Sequence, residues 1–457
     1  MKTARLTSVL LLVLSPCVAV TGCVISKSSD NGFGGGPGAG GSASGGQAAG
    51  GNTAAGSSSG GSSSGGGSAG TGAVTSVGGS GGGAQFQACG AELPRLEAGG
   101  DVFDCGGSGE ILEDKGRPDN RVNFVILGDG YTADLLDTLF MEHVKNLLYN
   151  TEQGYLTELG EPYRRYWSYI NICALKVPSN DACVDDADTG QLCDTAFNGR
   201  GDDTSRLGIV NNSLVHSAVA ALMPSNIDVD WEAVTLNAGP DNWWASGGEV
   251  MVWSGGYSPQ KHASSQGIHE GGHTFHGLAD EYAYFNPNAD CTKAVEPNVT
   301  TDPSGAKWSE WIDFDQTPGT GTQGVYEGGR YCTQGIYRPS TNSQMNQLPD
   351  YFNMPSQQKM IHDLYAIVRP IDAHTPNDTT LVDPGVLQVR LVDASVLKVE
   401  WLVDGESLTE DGGECFDLAL LPSGEHSVVA RAYDDTPWVR DSRDDLEQSV
   451  TWTVSIP

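Results

Sequence analysis

Apolar residues follow two different rhythms along this chain. In the middle third they come in near-continuous blocks, Val122–Leu127, Tyr169–Leu175, Val234–Asn237 and Val250–Trp253, which read as strands covered on both faces. Between the first two blocks, Leu136, Phe140, Val144 and Leu148 recur at helical spacing and predict a helix over Asp134–Asn150. A second helix is expected from about Lys261 to His276, stopped by Gly277. Gly128-Asp129-Gly130 ends the first strand, and Asp129 is expected to brace that turn through a local contact. Strands alternating with helices predict a layered α/β (α+β) domain over residues 121–375. From Val382 the rhythm shortens to two. Leu387/Val389/Leu391, Leu397/Val399/Trp401/Val403, Val428/Ala430/Ala432 and Val450/Trp452/Val454/Ile456 each place apolar side chains on one face, between Asp-Gly, Gly-Gly and Ser-Gly turns. That pattern predicts a small all-β, immunoglobulin-like sandwich over 382–457, and it carries no catalytic constellation.

The N-terminus is of another kind. Lys2 and Arg5 precede an apolar run, Leu6–Val20, too short to span a bilayer, and Thr21-Gly22-Cys23 follows. This is the pattern of a bacterial lipoprotein signal peptide over 1–22, whose removal leaves Cys23 to carry lipid. Val24 after that cysteine fits onward sorting to an outer membrane or cell surface. Residues 31–84 are almost wholly Gly, Ser, Ala and Thr and cannot bury a core. The lipidated segment 23–84 is therefore expected to be a disordered tether with a reach of roughly 40 Å. Residues 85–120 form a lead-in to the folded part.

Charge narrows the partners. With 58 acidic against 25 basic residues, the net charge of −33 gives no electrostatic case for nucleic acid or anionic headgroups, leaving the lipid as the only membrane contact. Eight cysteines survive signal removal and acylation, and in an exported chain they predict up to four disulfides. Cys89–Cys105, Cys183–Cys193 and Cys291–Cys332 are candidate pairs, the last able to pin the loop between the second helix and the segment around Met345, and spacing does not fix the connectivity. The acidic loop 181–194 holds Asp185, Asp186, Asp188 and Gly190, a candidate Ca2+ site without EF-hand spacing; a solvated disulfide loop is the preferred reading.

The decisive stretch is His-Glu-Gly-Gly-His-Thr-Phe-His-Gly-Leu-Ala-Asp-Glu-Tyr, residues 269–282. On a helix, His269 and His273 lie four apart and present two imidazoles to one ion. Glu270 stands beside them as the candidate general base. Gly277 allows a turn, after which Asp280 or Glu281 can return as an oxygen ligand. His276 is expected outside the metal shell, because a fourth protein ligand would close the site. One zinc ion per chain with an open position is the expectation, and Tyr331 and Tyr337 are candidates to stabilise the oxyanion. Arg338 is a candidate to orient a carboxylate or substrate carbonyl.

These residues, together with NFVILGDGYTADL (123–135), GIYRPSTNSQMNQL (335–348) and YFNMPSQQKMI (351–361), resemble the IgA peptidase family of zinc metallopeptidases. The resemblance implies a metzincin-like catalytic domain, with Met345 in the methionine turn beneath the metal. It also favours Asp280 over Glu281. Two departures stand out: Gly277 and Asp280 each fall one residue later than in the usual metzincin spacing, and Gln347 stands where some metzincins keep a tyrosine. The expected activity is a zinc-dependent endopeptidase acting on protein or peptide substrates. The alternatives are a catalytically silent surface-binding lipoprotein on the same scaffold and a zinc amidase acting on cell-wall cross-links. An intact Glu270 favours an enzyme.

Overall fold

The computed structural model describes residues 102–457, apart from Phe285, Glu410 and Asp411. The signal peptide, Cys23, the tether and Cys89 lie outside the described residues. Among the described residues no helix is long and apolar enough to cross a membrane.

A six-stranded sheet organises the first part. Its strands are β1 (Gly109–Glu113), β2 (Val122–Asp129), β3 (Ile170–Leu175), β4 (Trp231–Leu236), β5 (Ala245–Ser246) and β6 (Met251–Ser254), in the order β1-β3-β2-β4-β6-β5. The four inner strands run parallel, and antiparallel β1 and β5 close the edges. Every residue of β2 and β3 is buried, as near-continuous apolar runs require of strands covered on both faces. On one face, α1 (Met141–Tyr149) follows a π-helical turn, Leu136–Phe140, so the predicted helix is two pieces in series. Phe140, Val144 and Leu148 point into a core that also takes in Phe124, Ile126 and Ile268. The helix Gln260–Thr274, here α3, lies against β6 and α1. On the opposite face, α2 (Asn212–Leu222) covers Val125, Leu127 and Trp244 with Val215 and Val219.

Two expectations are corrected. Asp129 does not act locally: its buried carboxylate accepts hydrogen bonds from Phe197 N (2.9 Å), Gly199 N (2.6 Å) and Thr195 Oγ1 (2.9 Å), tying a distant loop to the end of β2. Burial raises the pKa of this carboxyl. Cys105 pairs with Cys173 of β3 rather than with Cys89, because the turn before β1 folds it back onto that strand. Cys183–Cys193 and Cys291–Cys332 form as expected. In the loop closed by Cys183–Cys193, the Asp185 carboxylate accepts from Cys193 N (2.7 Å) and Asp186 from Asp188 N (2.9 Å), so both brace their own loop.

The C-terminal part is two facing sheets, one of three strands and one of five, beginning at Ile371 rather than at Val382. The alternating apolar positions are buried: Leu387 and Val389, Val399 and Trp401, Val428 and Ala430, Trp452 and Val454. Their core is continuous with that of the first part. Polar bridges reinforce it. Arg121 makes a two-pronged ion pair with Asp372 (2.7 and 2.6 Å), and the buried Asp434 carboxylate accepts from Tyr166 (2.6 Å) and Tyr365 (3.0 Å).

Candidate metal centre

The third helix is built by close approach on two sides. Its core side takes Ala263 and Gly267 against Leu147, Met251 and Trp253. At Gly272 a Cβ would stand 2.8 Å from Met345 Sδ, and at Gly271 it would stand 2.8 Å from the Trp231 ring. The Gly-Gly pair between the histidines thus lets the helix settle into both walls. Gly277 sits at φ 61°, the left-handed turn that ends the helix and sends the chain back.

That return brings three ligand-type atoms together. His269 Nε2 and His273 Nε2 are 3.2 Å apart, and each lies 3.1 Å from Asp280 Oδ1. Among the described residues this is the His/Cys/Asp/Glu group arranged to hold a metal ion. The far side of each imidazole is fixed by the main chain: His269 Nδ1 donates to Gln344 O (2.8 Å) and His273 Nδ1 to Leu278 O (2.6 Å). Both rings therefore carry their proton on Nδ1 and turn the Nε2 lone pair to the centre, as a metal ligand must. Tyr331 donates to Asp280 Oδ2, from a left-handed turn in the hairpin Tyr326–Arg338 held by Cys291–Cys332. Burial would raise the Asp280 carboxyl, but His273 and His269 hold it well below the usual carboxylate range. Burial opposes charge on His273, yet Asp280 pushes its pKa up. One buried carboxylate beside two imidazoles is a donor set that suits a divalent cation.

The other sequence candidates separate. Glu270 is fully buried on the same helix. Glu281 points away: its carboxylate accepts from Asn298 Nδ2 (2.9 Å), Asn353 Nδ2 (2.7 Å) and Ser343 Oγ (2.7 Å), while its main-chain N–H donates to Met345 O (2.7 Å). It anchors the Met345 turn. Met345 itself is fully buried beneath the helix. His276 is held by Asp363 (2.8 Å) and Tyr163 (2.7 Å), off the metal group. Tyr337 is half-buried, with its main chain paired to Thr300, and does not join the three ligands. Arg338 donates to Gly328 O (2.6 Å) and Glu327 O (3.2 Å), steadying the hairpin. Sequence reading missed the supporting partners: Leu278 lies within 269–282 but acts through its main-chain carbonyl, and no spacing rule connects Gln344, Asn298 and Asn353 to the motif.

No curated protein matches the chain. The family model described as IgA Peptidase M64 matches residues 111–321, which span the parallel sheet, α3 and Asp280 but stop short of Tyr331 and Met345. Over that stretch, less than half of its length, the chain is similar to this peptidase family.

Proposed function

We propose that the protein is a zinc-dependent endopeptidase of metzincin-like architecture, carrying a C-terminal immunoglobulin-like domain and tethered at Cys23 to a bacterial outer membrane or cell surface. The observation that carries the reading is the meeting of His269, His273 and Asp280 around one point, with Glu270 on the same helix. These three residues would hold the ion, and Gln344 and Leu278 supply the carbonyls that orient the imidazoles. A bound zinc ion supplies Lewis acidity, activating water and polarising the scissile carbonyl. Glu270 then accepts the proton of the attacking water and returns it to the leaving amine. Tyr331, whose single hydroxyl proton goes to Asp280, lies beside the centre and would turn from that bond to donate to the oxyanion. The substrate is proposed as protein or peptide, reaching the centre outside the cell.

Hydrolysis of fluorescent casein with and without chelator tests the activity, and elemental analysis of the purified protein identifies the ion. Glu270→Gln should keep its metal and lose turnover; full turnover in that variant removes Glu270 from the role. Cys23→Ser should release the chain from the membrane fraction, and continued membrane association would refute the tether.

A further inference from the structure

Gln266 sits one turn before Glu270 and three residues before His269 on α3. At 3.6 residues per turn its side chain leaves the helix within about 60° of those of His269, Glu270 and His273. The remaining directions are taken up by packing. Ser264 bonds Asn146 of α1, Ser265 receives the Gln344 amide, and Gly267 abuts Leu147. Gln266 thus belongs to the arc that faces the metal group. It is fully buried, and neither Oε1 nor Nε2 of its carboxamide meets a hydrogen-bond partner among the described residues. The nearby Gln344 behaves differently, with its amide bonded to Ser265 O (2.8 Å) and its Oε1 accepting from Asp350 N (3.1 Å).

Burying an unpartnered carboxamide costs stability, and an apolar side chain of the same shape would fit the fold better. Proteins retain such a cost where a site uses the group. Glu270 is the residue within reach, since side chains four apart on a helix meet, and an amide N–H is the donor a carboxylate base needs to hold one rotamer. We infer that Gln266 is a positioning residue for Glu270: its amide N–H, through one bridging water, holds the carboxylate in the orientation that takes a proton from the attacking water. The inference rests on the reading of Glu270 as the base.

The test uses full-length, metal-loaded protein and a casein-derived fluorogenic peptide, with Gln266→Met and Gln266→Leu measured beside Glu270→Gln. Both Gln266 variants should keep their metal, melt at or above the wild-type temperature and leave KM unchanged, while kcat falls about tenfold or more, the scale of a slightly misplaced catalytic group. A merely structural glutamine would behave in the opposite way, with lower melting and unaltered kcat in the folded fraction. Wild-type kcat, a raised KM, or loss of metal or melting temperature in both variants overturns the inference. An active Glu270→Gln brings down the base assignment itself, whereas an inactive Glu270→Gln beside a fully active Gln266→Met brings down the positioning role alone.

Discussion

Asp280 and Glu281 are adjacent carboxylates with opposite assignments, and truncating Glu281 separates them. Its carboxylate accepts from Asn298, Asn353 and Ser343 in a site closed to solvent. Glu281→Ala strands three buried donors at roughly 1–3 kcal/mol each. Part of this is offset because the variant no longer buries a carboxyl, whose pKa burial raises despite the three donors. The expected net loss is therefore about 3–5 kcal/mol, the range for breaking a buried charged network. Urea unfolding followed by tryptophan fluorescence reads that loss, and elemental analysis of the folded fraction reads the metal. Glu281→Ala should be strongly destabilised and still carry one ion. Asp280→Ala should lose the ion and unfold no more easily than chelator-treated wild type. A Glu281→Ala protein as stable as wild type yet free of metal would reverse the two roles and refute the geometry argued above.

Tyr331→Phe removes the phenol from Asp280 and should weaken metal binding by about 10–100-fold in chelator competition; unchanged affinity would mean that the contact does not orient the ligand. His143 is buried with Nδ1 2.7 Å from Tyr131 OH, and burial lowers its pKa to about 4. The unfolded chain, with a histidine near 6.5, takes the proton first as pH falls. Stability from this group is thus complete above pH ~6.5 and lost toward pH ~4, by roughly 3 kcal/mol. Urea unfolding at pH 7 and pH 4.5 should show that loss in wild type and little of it in His143→Asn; parallel losses in both would sink the assignment.

What was legible in advance follows from local rules. Near-continuous apolar blocks marked strands β2 and β3, alternation marked the C-terminal strands, and the four-residue step from His269 to His273 placed both imidazoles on one helix face whatever the surroundings. Other features lay beyond such rules because they join residues far apart in the chain. Cys105 met Cys173 through strand pairing across 68 residues, and Asp129 was drawn from its own turn to a loop near Gly199. The choice between Asp280 and Glu281 likewise came from the return of the chain after Gly277, which set one carboxylate against the histidines and the next against the Met345 turn. Periodicity and motif spacing fix which face of an element a side chain occupies. Only the packing of one element on another decides what that face meets, since burial and hydrogen-bond satisfaction are settled among residues that the sequence leaves far apart.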